Sequence, residues 1–213
     1  TMDTILVTEL DDGTAIHMDR FAHEADGVVL INRVKPHTSF RGPVESGVIK
    51  MMIIGMGKIN GATAIHGGHP MENFGEVLPR AAGALMEHIP FLFGVGMVED
   101  AHDDTAIVEA MPAETLFARE PALQSRAKEL MARIYIDDID VLVIDEIGKE
   151  ISGAGCDPNV TGHRNSPGFE LPRVKKMVIL DVTDATKGNA TGIGSADVIT
   201  HRLLGRVDFA ATY

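Results

Sequence analysis

Three short apolar-rich runs limit how this chain can fold: GVVLI at 27–31, IDVLVI at 139–144 and MVILDV at 177–182. Continuous runs of this kind fit strands buried in a parallel sheet. Two further strands are expected at 5–10 and 14–18, around the turn signal Asp11-Asp12-Gly13. Others are expected at 91–98 and 105–110. Helical segments are expected at 19–25, 44–56, 72–89 and 196–204. The clearest is 121–134, where Leu123, Ala127, Leu130, Met131 and Ile134 share a face. The alternation predicts an α/β fold, a largely parallel sheet with flanking helices. The glycine-dense segment 55–68 reads as flexible or tightly turned. Residues 148–172, rich in Gly, Pro, Asn and Ser, are long for an idle loop, which points to a functional or ordering role.

A chain of 213 residues suffices for one domain or two lobes, about 1–135 and 136–213. Nineteen basic residues against 31 acidic ones leave a net charge of −12, which repels polyanions and argues against a nucleic-acid partner. Arg33, Lys35 and Arg41 form a local exception able to hold a phosphate or carboxylate. The single Cys156 excludes an intrachain disulfide and suits a reducing compartment. With no signal peptide and no run of 18 apolar residues, the expectation is a cytoplasmic protein with no membrane partner. The sequence opens on Thr1, so a fragment or core domain of a longer chain is expected.

The chemistry concentrates in residues 32–69, which hold His37, His66 and His69. The apolar run 48–54 is broken only by Lys50. Desolvating an ammonium is costly, so a lysine there either snorkels to water or acts as a desolvated nucleophile and covalent anchor. His37 follows Lys35-Pro36 just past a predicted strand, at the end where α/β proteins place ligand groups, and suits a general base. His66 and His69 form H-G-G-H. No Cys pair or HExxH accompanies them, so they do not make a zinc site, but one imidazole can ligate a metal held mainly by a cofactor. The GMGKING segment at 55–61 fits no phosphate-loop pattern, although its amides and Lys58 can cradle a phosphate. Asp145, Glu146 and Lys149 end a predicted strand. Asp157, Asn159 and His163 lie in the 153–163 stretch, where turn formation explains the first two equally well. Cys156 reads as a small filler.

The segments KPHTSFRGPVESGVIKMMIIGMGK, ISGAGCDPNVTGH and GNATGIGSADVITHRLLG resemble the lactate-racemase-like family of nickel-pincer-nucleotide-dependent isomerases. The resemblance runs over most of the chain and is to branches distinct from the lactate racemases themselves. It implies that Lys50 tethers the cofactor through a thioamide and that His37 is one of an acid/base pair. It also implies that His66, sixteen residues beyond Lys50, ligates nickel. Lys58 and Arg41 are the cations expected to hold the cofactor, with Arg33 or Arg41 clamping a substrate carboxylate.

The implied reaction is racemisation or epimerisation of a small 2-hydroxy acid by hydride transfer. The cofactor supplies the acceptor and a histidine takes the hydroxyl proton. The family's N-terminal region, with a second histidine base, is not placed in this sequence, so the chain alone is expected to be inactive. Self-association into a homo-oligomer is a further expectation. The alternative is a non-catalytic α/β domain whose Gly-rich segments bind a small anion or a partner chain. One cysteine cannot supply an iron–sulfur Cys₄ set.

Overall fold

The structure is a computed structural model and describes residues 2–162 and 168–212. It divides into two compact units, 1–132 and 133–213. The fold is α/β throughout, with helices beside small sheets.

In the first unit, β1 (Thr4–Glu9) and β2 (Ala15–Asp19) form an antiparallel hairpin. Its turn is closed by Gly13, whose φ of 83° suits a residue without Cβ. The helix α1 (Arg20–His23) follows, capped by the Asp19 carboxylate, which accepts the Ala22 N–H at 3.2 Å. A second sheet has the order β3-β4-β5. In it β3 (Val28–Arg33) runs parallel to β4 (Phe91–Glu99), and β4 antiparallel to β5 (Thr105–Pro112).

The expected helix over 44–56 is shorter. The isolated bridge between Lys35 and Ser46 holds the chain extended up to Gly47. One α-turn, α2 (Val48–Lys50), then widens into a π-helix, Met51–Gly55. The next helix, α3 (Lys58–Gly68), turns away from the preceding one by 102°. Of the two readings of 55–68, flexible or tightly turned, the structure has a sharp bend followed by regular helix. The glycines are there for close packing: a Cβ on Gly57 would lie 2.2 Å from the Ile53 carbonyl, and one on Gly61 3.0 Å from it.

Two longer helices complete the unit, α4 (Phe74–Met86) and α5 (Leu116–Leu130). The first accommodates Pro79 in its second turn, and the second begins before Pro121 rather than at it. The core is built from Ile16, Met18, Ile49, Met52, Ile53, Ile65, Leu78, Leu85, Met111 and Leu116, all essentially without exposed surface. Three of these are methionines, whose unbranched thioethers fill irregular gaps.

The second unit is a parallel sheet of order β6-β7-β8: β6 (Asp138–Ile147), β7 (Arg173–Val182) and β8 (Val198–Ile199). The short helix α6 (Pro158–Thr161) interrupts the long loop before β7, and α7 (His201–Arg206) and α8 (Phe209–Thr212) end the unit. The helix expected over 196–204 is instead split. The Asp197 carboxylate accepts the Met177 N–H at 2.7 Å and holds that stretch against the sheet. Thr200 then caps α7 through the Leu203 N–H at 3.0 Å.

The runs at 27–31 and 139–144 were expected to be buried on both faces. They form the edge strands β3 and β6, and Val29, Ile31, Val141 and Val143 are exposed. Among the described residues no single helix is long and apolar enough to cross a membrane.

Candidate functional site

The site lies in the first unit, where the chain leaves β3. Residues 34–47 loop out, return through the Lys35–Ser46 bridge and enter α2. The loop is organised around the Glu45 carboxylate, which has no exposed side-chain surface. It accepts the N–H of His37 at 2.8 Å and of Gly42 at 3.2 Å. Two cations balance its charge, Arg41 at 3.4 Å and Lys128 of α5 at 2.5 Å. A buried carboxylate is tolerable when it is hydrogen-bonded and paired in this way.

His37 is half-buried, with its ring 4.3 Å from that of Phe40. Its Nδ1 accepts the Ser39 N–H at 3.1 Å, which leaves the proton of the neutral ring on Nε2. Burial, followed by the charges of Lys50, His66, Arg41 and Lys35, holds its pKa down at about 4. The imidazole is therefore neutral at pH 7. The same electrostatic coupling places Lys50, His66 and Arg41 around His37.

Lys50 ends the single α-turn and is itself half-buried. Burial and the neighbouring Lys35 charge lower the pKa of its amine. It borders a cleft of about 220 Å³ lined by Asn32, Arg33, Lys35, Ser46, Lys50, Met51, Ile54 and Gly55. Three of those residues are cationic and none is acidic, in a chain of net charge −12. Arg33 is paired with Glu99 at 3.1 Å.

The other expected residues are distributed around this centre. His66 is exposed in the last turn of α3, its ring edge-on to Phe74 at 4.8 Å. His69, three residues on, points elsewhere: its Nε2 lies 2.8 Å from Thr14 Oγ1 and 4.0 Å from Asp12. Asp12 also pairs with Arg80, and its hydrogen bond from Thr14 holds its pKa at about 2. The H-G-G-H histidines therefore serve different neighbourhoods. Lys58 faces Asp19 at 3.7 Å. Arg41 donates to the His37 carbonyl at 3.0 Å as well as to Glu45, so it shapes the loop that presents His37.

Among the described residues no three His, Cys, Asp or Glu side chains converge in a metal-holding group. The groups that could hold a cofactor are a primary amine with a lowered pKa, one exposed imidazole and a cationic cleft.

Glu120 is a site residue that sequence spacing did not reveal. It lies on α5 with 1% of its surface exposed. Its carboxyl accepts the Ile49 N–H at 3.1 Å, so it caps α2 from 71 residues away. Burial pushes its pKa up to about 7. The adjacent Gly47 is needed here, because a Cβ would stand 2.5 Å from Glu120 Oε1. One turn further along α5, the Gln124 side chain is buried with neither amide atom hydrogen-bonded.

In the second unit, Asp157 caps α6 through the Asn159 N–H at 2.8 Å, which is the turn-forming role. Burial raises the pKa of the Cys156 thiol, in keeping with a filler. His163 lies outside the described residues.

No protein-family model matches the chain, and no curated protein matches it. Among solved structures it is similar to the lactate racemase apoprotein from Thermoanaerobacterium thermosaccharolyticum, with 14% identity and a TM-score of 0.48. The likeness covers 83% of this chain and 42% of that one, so the chain spans less than half the length of that protein.

Proposed function

We propose that the first unit is the cofactor-bearing part of a racemase or epimerase of a small 2-hydroxy acid, with a nickel pincer nucleotide tethered to Lys50. The observation that carries this reading is the Lys50 amine, half-buried and held below its ordinary pKa in a cationic cleft beside a neutral His37. The motif resemblance around residues 35–58 supports it. When bound, the cofactor would supply an electrophilic hydride acceptor.

The chain's own residues would do the rest. The Lys50 amine, whose pKa burial and Lys35 lower, is the group that would carry the covalent link. His66 offers an exposed imidazole to the metal. Lys35 and Arg33 attract the substrate carboxylate, and His37 accepts the hydroxyl proton. The low basicity of His37 reflects burial first and its cationic surroundings second; a bound carboxylate would offset the second part and raise its pKa.

The test is intact-mass and nickel analysis of the full-length protein, co-expressed with the enzymes that make the cofactor. A mass increase on Lys50 with about one nickel per chain is expected, and Lys50→Ala should abolish both. An unmodified Lys50 without nickel, beside a loaded family control, sinks the proposal. The acid-free lining of the cleft also favours a second reading, a non-catalytic domain that binds a small anion. In that case Lys50→Ala would weaken anion binding and there would be no turnover to lose.

A further inference from the structure

A helix start is ordinarily capped by a neighbouring Ser, Thr, Asp or Asn. Here the capping position is Gly47, which offers no side chain. The N–H of Ile49 is taken instead by the Glu120 carboxyl. Burying a carboxyl without a cation beside it is costly, and a local cap would avoid that cost. The distant cap adds something a local one cannot, because it pins the start of α2 to the body of α5.

The direction of Lys50 depends on that pin. The α-helical ladder around Lys50 is one turn long, closed by the Met51 N–H to the Gly47 carbonyl at 3.0 Å. Beyond it the helix is already π, with Met56 N–H bonding back to Met51 at 2.8 Å. π-turns are frequent at functional sites and do not impose the α register. Lys50 sits at this junction, so neither flanking ladder alone fixes where its amine points.

We infer that Glu120 is the positioning residue of Lys50: by accepting the Ile49 N–H it sets the direction in which the lone α-turn delivers the amine into the cleft. This rests on the reading of Lys50 as the reactive amine. Glu120 touches neither the cleft lining nor the amine; it acts through the backbone. The orphaned Gln124 amide one turn along shows that this face of α5 carries buried polar groups that the core itself does not satisfy.

The test reads Lys50 directly and needs no cofactor. Full-length wild-type protein, Glu120→Gln and Glu120→Ala are acylated with a limiting amine-reactive ester across a pH series. Modification of Lys50 is quantified by peptide mass spectrometry against the exposed Lys175. Glu120→Gln keeps an acceptor oxygen and should retain the wild-type profile. Glu120→Ala should release the turn, and Lys50, no longer held in its half-buried place, should gain exposure: its profile should move upward in pH toward that of Lys175.

A purely structural role would lower the melting temperature and leave the Lys50-to-Lys175 ratio unchanged. Superimposable profiles in folded Glu120→Ala therefore overturn the inference. Should that variant fail to fold, Glu120→Asp, which withdraws the carboxyl by one methylene, takes its place with the same expected shift and the same overturning result. A shifted profile in a protein that never loads cofactor would keep the positioning role and remove the racemase reading. An unshifted profile in a loaded protein would do the reverse.

Discussion

The ammonium of Lys128 lies 2.5 Å from Oε1 of Glu45, a carboxylate with no exposed side-chain surface. The other oxygen of that carboxylate receives the backbone N–H of His37. α5 thus grips the His37 loop through Lys128 and the Lys50 turn through Glu120, two positions eight residues apart on one helix face. Replacing Lys128 with Met would leave a buried carboxylate short of a cation. Because Lys128 is itself 40% exposed, the expected loss is about 1–3 kcal/mol of unfolding free energy, below the value for a wholly buried pair. Urea titration measures it, and an unchanged midpoint would mean that Arg41 and the two N–H donors already suffice.

Glu120 makes stability depend on pH. Its pKa is raised from 4.5 in the unfolded chain to about 7 in the fold. The folded state therefore holds a proton that the unfolded state releases. The stabilisation from that proton is complete below pH 4.5 and is lost as pH rises through 7. At 1.4 kcal/mol per pH unit the effect amounts to about 3 kcal/mol. In Glu120→Gln this part of the pH slope should vanish in chemical denaturation between pH 5 and 8; an identical slope in wild type and variant would refute the assignment.

His37 should titrate far below an ordinary histidine. Its pKa falls from 6.5 to about 4, through burial first and the Lys50 charge second. Its contribution to stability is therefore present above pH 6.5 and lost as pH falls through 4. NMR of the His37 ring should give a midpoint near 4, and Lys50→Ala should raise it. A midpoint of 6 or above in the wild-type protein would mean that the ring is solvated and not in the field of Lys50.

Gly47→Ala tests the close approach at the cap. The added methyl would stand 2.5 Å from Glu120 Oε1 and 3.2 Å from a Val34 methyl. Overpacking of this kind costs about 1–3 kcal/mol. Thermal unfolding should show the loss, and Gly83→Ala, where a Cβ meets nothing within 4 Å, serves as the tolerated control.

Much of the frame was legible because it rests on local signals. The Asp-Asp-Gly turn marked the first hairpin, and apolar runs and helical spacing located β3, β4, β7, α4 and α5. The errors have physical causes. Glycine density in 55–68 reads as flexible or tightly turned, whereas most of it is helix, with Gly57 and Gly61 letting α3 pack on Ile53. Val29 and Val141 were read as doubly buried, because a run of apolar residues does not say whether its strand is central or at an edge.

Lys50, His37 and His66 stood out by residue type and spacing, and the fold brings them within electrostatic reach of one another. Glu45 and Glu120 did not stand out. Their partners are backbone N–H groups, which carry no sequence signature, and in Glu120 the contact spans 71 residues. On the face of α5 read as apolar, the polar Glu120 and Gln124 are buried beside Leu123 and Ala127.

The change from α to π after Lys50 bears on which sequence changes this segment can absorb. A π-turn holds one residue more than an α-turn. Deleting a single residue from Met51–Gly55 would close the surplus and let α2 run on as ordinary helix, with the chain beyond it in nearly its present orientation, because the wide turn already absorbs the extra residue. A second deletion would find no surplus to absorb it and would turn the following chain by about 100° relative to Lys50, although every functional side chain was still encoded. Side-chain exchange along these five positions is a matter of packing, but a change in their number beyond the one spare residue alters the address of the whole following helix.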